Sequence, residues 1–133
     1  MTDVTELCAE LIRNACVNDG APDSGHEARS VETIAGYLGT AGTVVEPHPG
    51  RASSVVRIDG DDPDAPTLML MGHTDVVPVT ESTWSRDPLG GEIDGGVLWG
   101  RGAVDMLILT AAMAVISKRA LSGDLAVPPG GLV

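Results

Sequence analysis

The stretch TLMLMG at positions 67–72 restricts the possible folds more than any other part of the chain. It is apolar at almost every position and too short for a helix, so it reads as an interior strand covered on both faces. Such a strand needs layers above and below it and paired neighbours, which predicts a layered α/β arrangement. The flanking patterns supply part of those layers. Val4, Leu7, Cys8, Leu11, Ile12, Ala15 and Cys16 recur at helical spacing, with Asp3 and Glu6 as a cap and its reciprocal partner. After the loop NDGAPDSG, Ser24 and Glu27 form a second capping box ahead of Ala28, Val31, Ile34, Ala35 and Leu38, and Gly42 closes that helix. TVVE and SSVVRI, on either side of a Pro-His-Pro-Gly turn, are short β-prone runs. Asp94-Gly95-Gly96 between GGEI and VLWG predicts a hairpin. MLILTAAMAVISKRAL is apolar nearly all round until Lys118 and Arg119, whose charges suit a helix C-terminus, so a buried helix is expected. LAV could open one more strand, which Pro128, Pro129, Gly130 and Gly131 would halt.

This inventory is incomplete for a strand as apolar as TLMLMG, because two or three short strands and a helix pair cover only part of it. Residues 1–133 are therefore expected to be the N-terminal portion of a larger mixed-sheet domain flanked by helices. The unfinished sheet also supports a reading from another class, a non-catalytic protein that pairs through its free strand edge with itself or a fuller homologue.

Charge narrows the partners. With 8 basic and 19 acidic side chains, a net charge of -11, the chain repels phosphate, so nucleic acid and anionic membrane surfaces are excluded as partners. Phe is absent and the aromatics are Trp84, Trp99 and Tyr37, so small aliphatic residues must fill the core. The opening MTDVTELCAELI has no basic segment before an apolar one, and the longest apolar run, Met106 to Ser117, is too short to span a bilayer; a cytoplasmic location is expected. Cys8 and Cys16 are separated by roughly 12 Å on a common helix, too far for a disulfide, and are read as reduced, packed thiols.

The chemistry-bearing residues follow the apolar strand. In extended chain His73 and Asp75 point to the same side, so Asp75 can hold one imidazole nitrogen while the other faces a metal. Taken alone, His-x-Asp reads rather as a strand-end turn in which Asp75 accepts backbone hydrogen bonds. Asp105, between GRGAV and an apolar helix, is either an N-cap or a carboxylate presented from a helix start. His26 and His48 have no ligand pattern nearby and are assigned no metal.

Together, MLMGHTDVVPV, then Trp84 and Pro88, then DGGVLWGRGAVDM resemble the di-zinc metallopeptidases of family twenty, which include aminoacylase, acetylornithine deacetylase, succinyl-diaminopimelate desuccinylase and glutamate carboxypeptidase. The opening helix and the P-x-S-G-x-E loop are similar to that family's start. The resemblance implies that His73 ligates one zinc, that Asp75 is the catalytic-site residue orienting His73, and that Asp105 bridges two zincs, with cobalt or manganese as alternative ions. It implies a zinc-dependent hydrolase of amide bonds in small substrates, a dipeptide or an N-acyl amino acid. The family's glutamate pair, one of them the general base, and its later acidic and histidine ligands have no counterpart here, since Asp124 is the only acid after Asp105 and no histidine follows. Leu107 stands where many members carry Lys. The expectation is thus an incomplete half-site that holds zinc weakly and is inactive alone.

Overall fold

The computed structural model describes residues 3–133 and contains three helices and two short antiparallel hairpins, an α/β fold. Helix α1, Asp3–Arg13, forms where the apolar residues recur every three to four positions, and it buries Leu7, Cys8, Leu11 and Ile12. Asp3 lies inside its first turn, where a carboxylate favours the helix dipole; the position ahead of it, where a cap would sit, is outside the described residues. Helix α3, Leu107–Leu121, packs on α1, and Leu107, Ala111 and Ala114 interleave with the α1 side chains and Val76. Small residues on α3 let the two helices approach closely, so the core is built without a phenylalanine. Leu107 is 1 % exposed, an apolar contact at the position where the resemblance led one to expect Lys. Cys8 and Cys16 are free and buried.

Helix α2, Ala28–Leu38, departs from expectation at both ends. Glu27 precedes it without a side-chain cap, because its carboxylate pairs with Arg51 at 2.8 Å on the neighbouring strand. Ser24 is turned away too, donating to the Ala21 carbonyl at 2.8 Å. A tertiary ion pair has displaced the local capping box. The helix ends at Gly39, not Gly42: Gly39 takes the left-handed conformation, φ 81°, and donates its N–H to the Ala35 carbonyl.

Strands β1, Thr43–His48, and β2, Arg51–Val55, form the first hairpin, with an irregularity between Val45 and His48. Strands β3, Glu92–Asp94, and β4, Val97–Trp99, form the second around Gly95-Gly96, both at positive φ as a two-residue turn requires. Arg86 clamps this hairpin, bonding Asp94 at 2.7 Å and Glu92, and stacking over Trp99.

The burial expected of residues 67–72 is not observed. The stretch is extended and pairs at Leu68 with Leu132, but Met69 is 66 % and Met71 80 % exposed. One side lies on α3: a Cβ at Gly72 would come within 2.7 Å of Thr110 Oγ1 and 2.8 Å of Met113 Cε. Nothing among the described residues covers the other side. For the same reason α3 is only half buried, with Leu109 and Ile116 facing out. The tail also differs, since pairing begins after Pro128-Pro129 rather than before it. Residues 131–133 lie between two segments, antiparallel to Ile58 and parallel to Leu68. Both pairing senses therefore occur, as bridges rather than as a continuous mixed sheet. Among the described residues no helix is long and apolar enough to cross a membrane.

Candidate metal centre

Three segments meet at the end of the 67–72 stretch. The chain leaving α1 runs parallel to the chain after His73, with Val76 N–H donating to the Cys16 carbonyl at 2.9 Å and Asn18 N–H to the Val76 carbonyl at 2.8 Å. Thr110, on the first turns of α3, donates its hydroxyl to the His73 carbonyl at 3.0 Å. The GRGAVD loop closes the third side. It is pressed inward at Gly102, φ 87°, where a Cβ would stand 2.7 Å from both Leu107 Cδ1 and Val76 Cγ1. Only a glycine meets both the conformation and the space.

These supports bring the three sequence-selected residues together. His73 Nδ1 lies 3.1 Å from Asp75 Oδ1 and 3.0 Å from the Asp75 carbonyl. Both are acceptors, so Nδ1 carries the hydrogen, and in the neutral ring Nε2 keeps its lone pair. Nε2 in turn faces Asp105 Oδ1 at 3.9 Å. With the ring in that neutral form, two electron-pair donors confront each other with no hydrogen of their own between them. Asp75 is held from behind by the Asn18 side chain, whose amide donates to its second oxygen at 2.8 Å. Asp105 is not the cap of α3: Met106 occupies that position, and the Asp105 side chain is 90 % exposed at the cleft. The peptide between Asp105 and Met106 is cis.

The donor set suits a divalent cation. Two nitrogen or oxygen ligands about 2.0–2.2 Å from one tetrahedral ion stand roughly 3.3–3.6 Å apart, so the 3.9 Å pair would close by a few tenths of an ångström to share an ion. His73 and Asp105 would hold such an ion, with Asp75 fixing the imidazole. Among the described residues no three His, Cys, Asp or Glu side chains converge as a complete metal-binding group.

The three residues line a cleft of about 490 Å³ whose wall also contains Asn18, Trp84 and Arg101. Sequence reasoning missed Asn18 and Arg101. Asn18 reads as part of a polar loop, and only its pairing with Val76 carries it to Asp75. Arg101 was visible only as the middle residue of Gly-Arg-Gly. Its flanking glycines mark a loop that must approach other atoms closely, the one available signal.

Residues 69–129 match the model of Peptidase family M20/M25/M40. Similar proteins include a succinyl-diaminopimelate desuccinylase of Xanthomonas oryzae pv. oryzae, 37 % identical over 135 residues that cover 96 % of this chain and 34 % of the relative. Succinyl-diaminopimelate desuccinylase 1 of Ruegeria sp. is 34 % identical over 133 residues, 99 % of this chain and 33 % of that protein. That of Methylocella silvestris is 37 % identical over 121 residues, 82 % of this chain and 28 % of that protein. The chain spans about a third of the length of these relatives. The match to the family model, containing His73, Asp75 and Asp105, and the alignment of nearly the whole chain with these relatives together place it in the M20 peptidase family.

Proposed function

We propose that this chain carries one side of the active site of a metal-dependent amide hydrolase acting on small N-acyl amino acids or dipeptides. The observation that supports this most directly is His73 Nε2 facing Asp105 Oδ1 at 3.9 Å while Asp75 occupies Nδ1. Asp75 accepts the Nδ1 hydrogen, fixes the ring and makes Nε2 a better electron-pair donor. Asn18 keeps Asp75 in that pose. Asp105 presents its carboxylate from the loop before α3, where it can contribute an oxygen to one ion or to two. What zinc, or cobalt or manganese in its place, supplies when bound here is activation of a water and polarisation of the amide carbonyl. Among the described residues on the cleft, no carboxylate is free to take the water's proton once Asp75 and Asp105 have these roles, which supports a half-site. The relatives support this substrate class, being named succinyl-diaminopimelate desuccinylases. A cytoplasmic location is part of this reading.

Cobalt(II) titration of the purified chain, followed by its visible absorption, tests the proposal. The expected result is exchangeable binding that disappears in His73→Ala and Asp105→Ala, with no ion retained through dialysis and no hydrolysis of N-succinyl or N-acetyl amino acids. Cobalt binding indifferent to both substitutions would overturn the metal assignment. Zinc-dependent turnover by the isolated chain would overturn the half-site reading.

A second reading is supported by the exposure of Met69 and Met71 beside a backbone paired on one side only. In that reading the chain associates through this strip with a second copy or a fuller relative. A folded monomer in size-exclusion chromatography with light scattering, at high micromolar concentration, would count against self-association.

A further inference from the structure

Among the described residues Arg101 has no acidic partner, in a chain with 19 acids and 8 bases. Arg51, Arg57 and Arg86 each pair with a carboxylate, whereas among the described residues none stands within 4.0 Å of the Arg101 guanidinium. Its Nε is buried and makes no hydrogen bond. The residue is nonetheless held: its main-chain N–H donates to the Pro88 carbonyl at 2.7 Å, and the guanidinium stacks 5.4 Å from the centre of the Trp84 ring. Both side chains line the cleft that holds His73, Asp75 and Asp105.

A buried donor left without a partner costs stability, and a guanidinium is a fork of donors matched to a carboxylate. Stacking on an indole holds that fork in one plane without using its hydrogens. The arrangement is therefore pre-organised for an anion that comes from outside the described residues. We propose that Arg101, positioned by Trp84, is a substrate-binding residue that takes a carboxylate of an anionic acyl-amino-acid substrate while the amide lies toward His73 and Asp105. This rests on the hydrolase reading above and adds to it the charge of the substrate and the residue that selects it.

The test is a titration of the metal-free chain with succinate, a short dicarboxylate, read by tryptophan fluorescence and calorimetry. Succinamide, of similar shape and no charge, is the comparison. Succinate is expected to give a saturable response, strongest at low salt, and succinamide none at the same concentrations. Arg101→Gln is expected to weaken succinate binding about tenfold or more, and Arg101→Lys by less, since a point charge remains without the fork. Arg86→Gln, in the other arginine–tryptophan stack, is expected to leave the affinity unchanged. Absence of succinate binding, equal binding of succinamide, or an unaltered affinity in Arg101→Gln would overturn the proposal. If Arg101→Gln fails to fold, the succinate–succinamide contrast and Arg101→Lys still decide. Because no metal is present, loss of this response with His73-dependent cobalt binding intact refutes only the role of Arg101; the reverse pattern refutes only the metal site.

Discussion

Asn18 donates its side-chain amide to Asp75 at 2.8 Å across 57 positions of chain. The exit of the first helix thus fixes the residue that fixes the imidazole. Removing the amide in Asn18→Ala is expected to cost about 1 kcal/mol, below the usual range for a bond to a charged group because Asp75 is partly exposed. It is expected to weaken His73-dependent cobalt binding about tenfold, as for other residues that support metal ligands. Urea unfolding and cobalt titration of the same variant measure the two effects.

The two cysteines predict how stability responds to alkali. Burial pushes the Cys8 thiol from its ordinary 9.0 up to about 11, and burial also raises that of Cys16. The folded chain then keeps protons that the unfolded chain gives up, so this contribution is fully present below pH 9.0 and is lost as pH rises toward about 11. For Cys8 alone the loss is on the order of 2 kcal/mol. Denaturant midpoints should fall across that window and fall less in Cys8→Ala. At pH 8 a thiol reagent should label both residues only as fast as the protein opens.

Core and strip residues of similar chemistry should respond differently to truncation. Leu11 is 1 % exposed between α1 and α3, and Leu11→Ala is expected to cost about 2–4 kcal/mol through lost burial and the cavity left behind. Met71, 80 % exposed, should lose less than about 0.5 kcal/mol on truncation to Ala. Paired thermal melts of the two variants provide the comparison.

Gly102→Ala places a methyl group against Leu107 and Val76 at a positive φ. Both conflicts act on the loop that carries Arg101 and Asp105. The expected cost is about 2 kcal/mol or more, with weaker cobalt and succinate binding together. Gly95→Ala, with open space around it, should strain only the hairpin turn and leave both ligands' affinities intact.

Much of this was legible in the sequence because it is local. The spacing of Leu7, Cys8, Leu11 and Ile12 sufficed for α1, although the helix ends at Arg13 and leaves Ala15 and Cys16 outside it, and Gly95-Gly96 sufficed for the second hairpin. His73, Asp75 and Asp105 were legible as a group through motif resemblance, and the fold brings them within reach of one another. The failures share a physical cause, competition from partners remote in sequence. Glu27 could satisfy its own helix end or Arg51, and the charged partner won. Residues 67–72 have the composition of a covered strand, yet cover comes from other segments, and only α3 provides it here. The tail pairs where prolines and glycines discouraged a strand, because Ile58 and Leu68 both have backbone groups facing that gap.

That tail ties distant parts of the chain to one another. Ile58 N–H ends on the Leu132 carbonyl, Leu68 N–H on Gly131 and Leu70 N–H on Val133, so all three amides lose their acceptors if residues 131–133 peel away. Their hydrogen exchange should rise in concert rather than site by site. Since Leu70 lies close in sequence to His73, such an opening would loosen the approach to the His73 imidazole without disturbing the helical core.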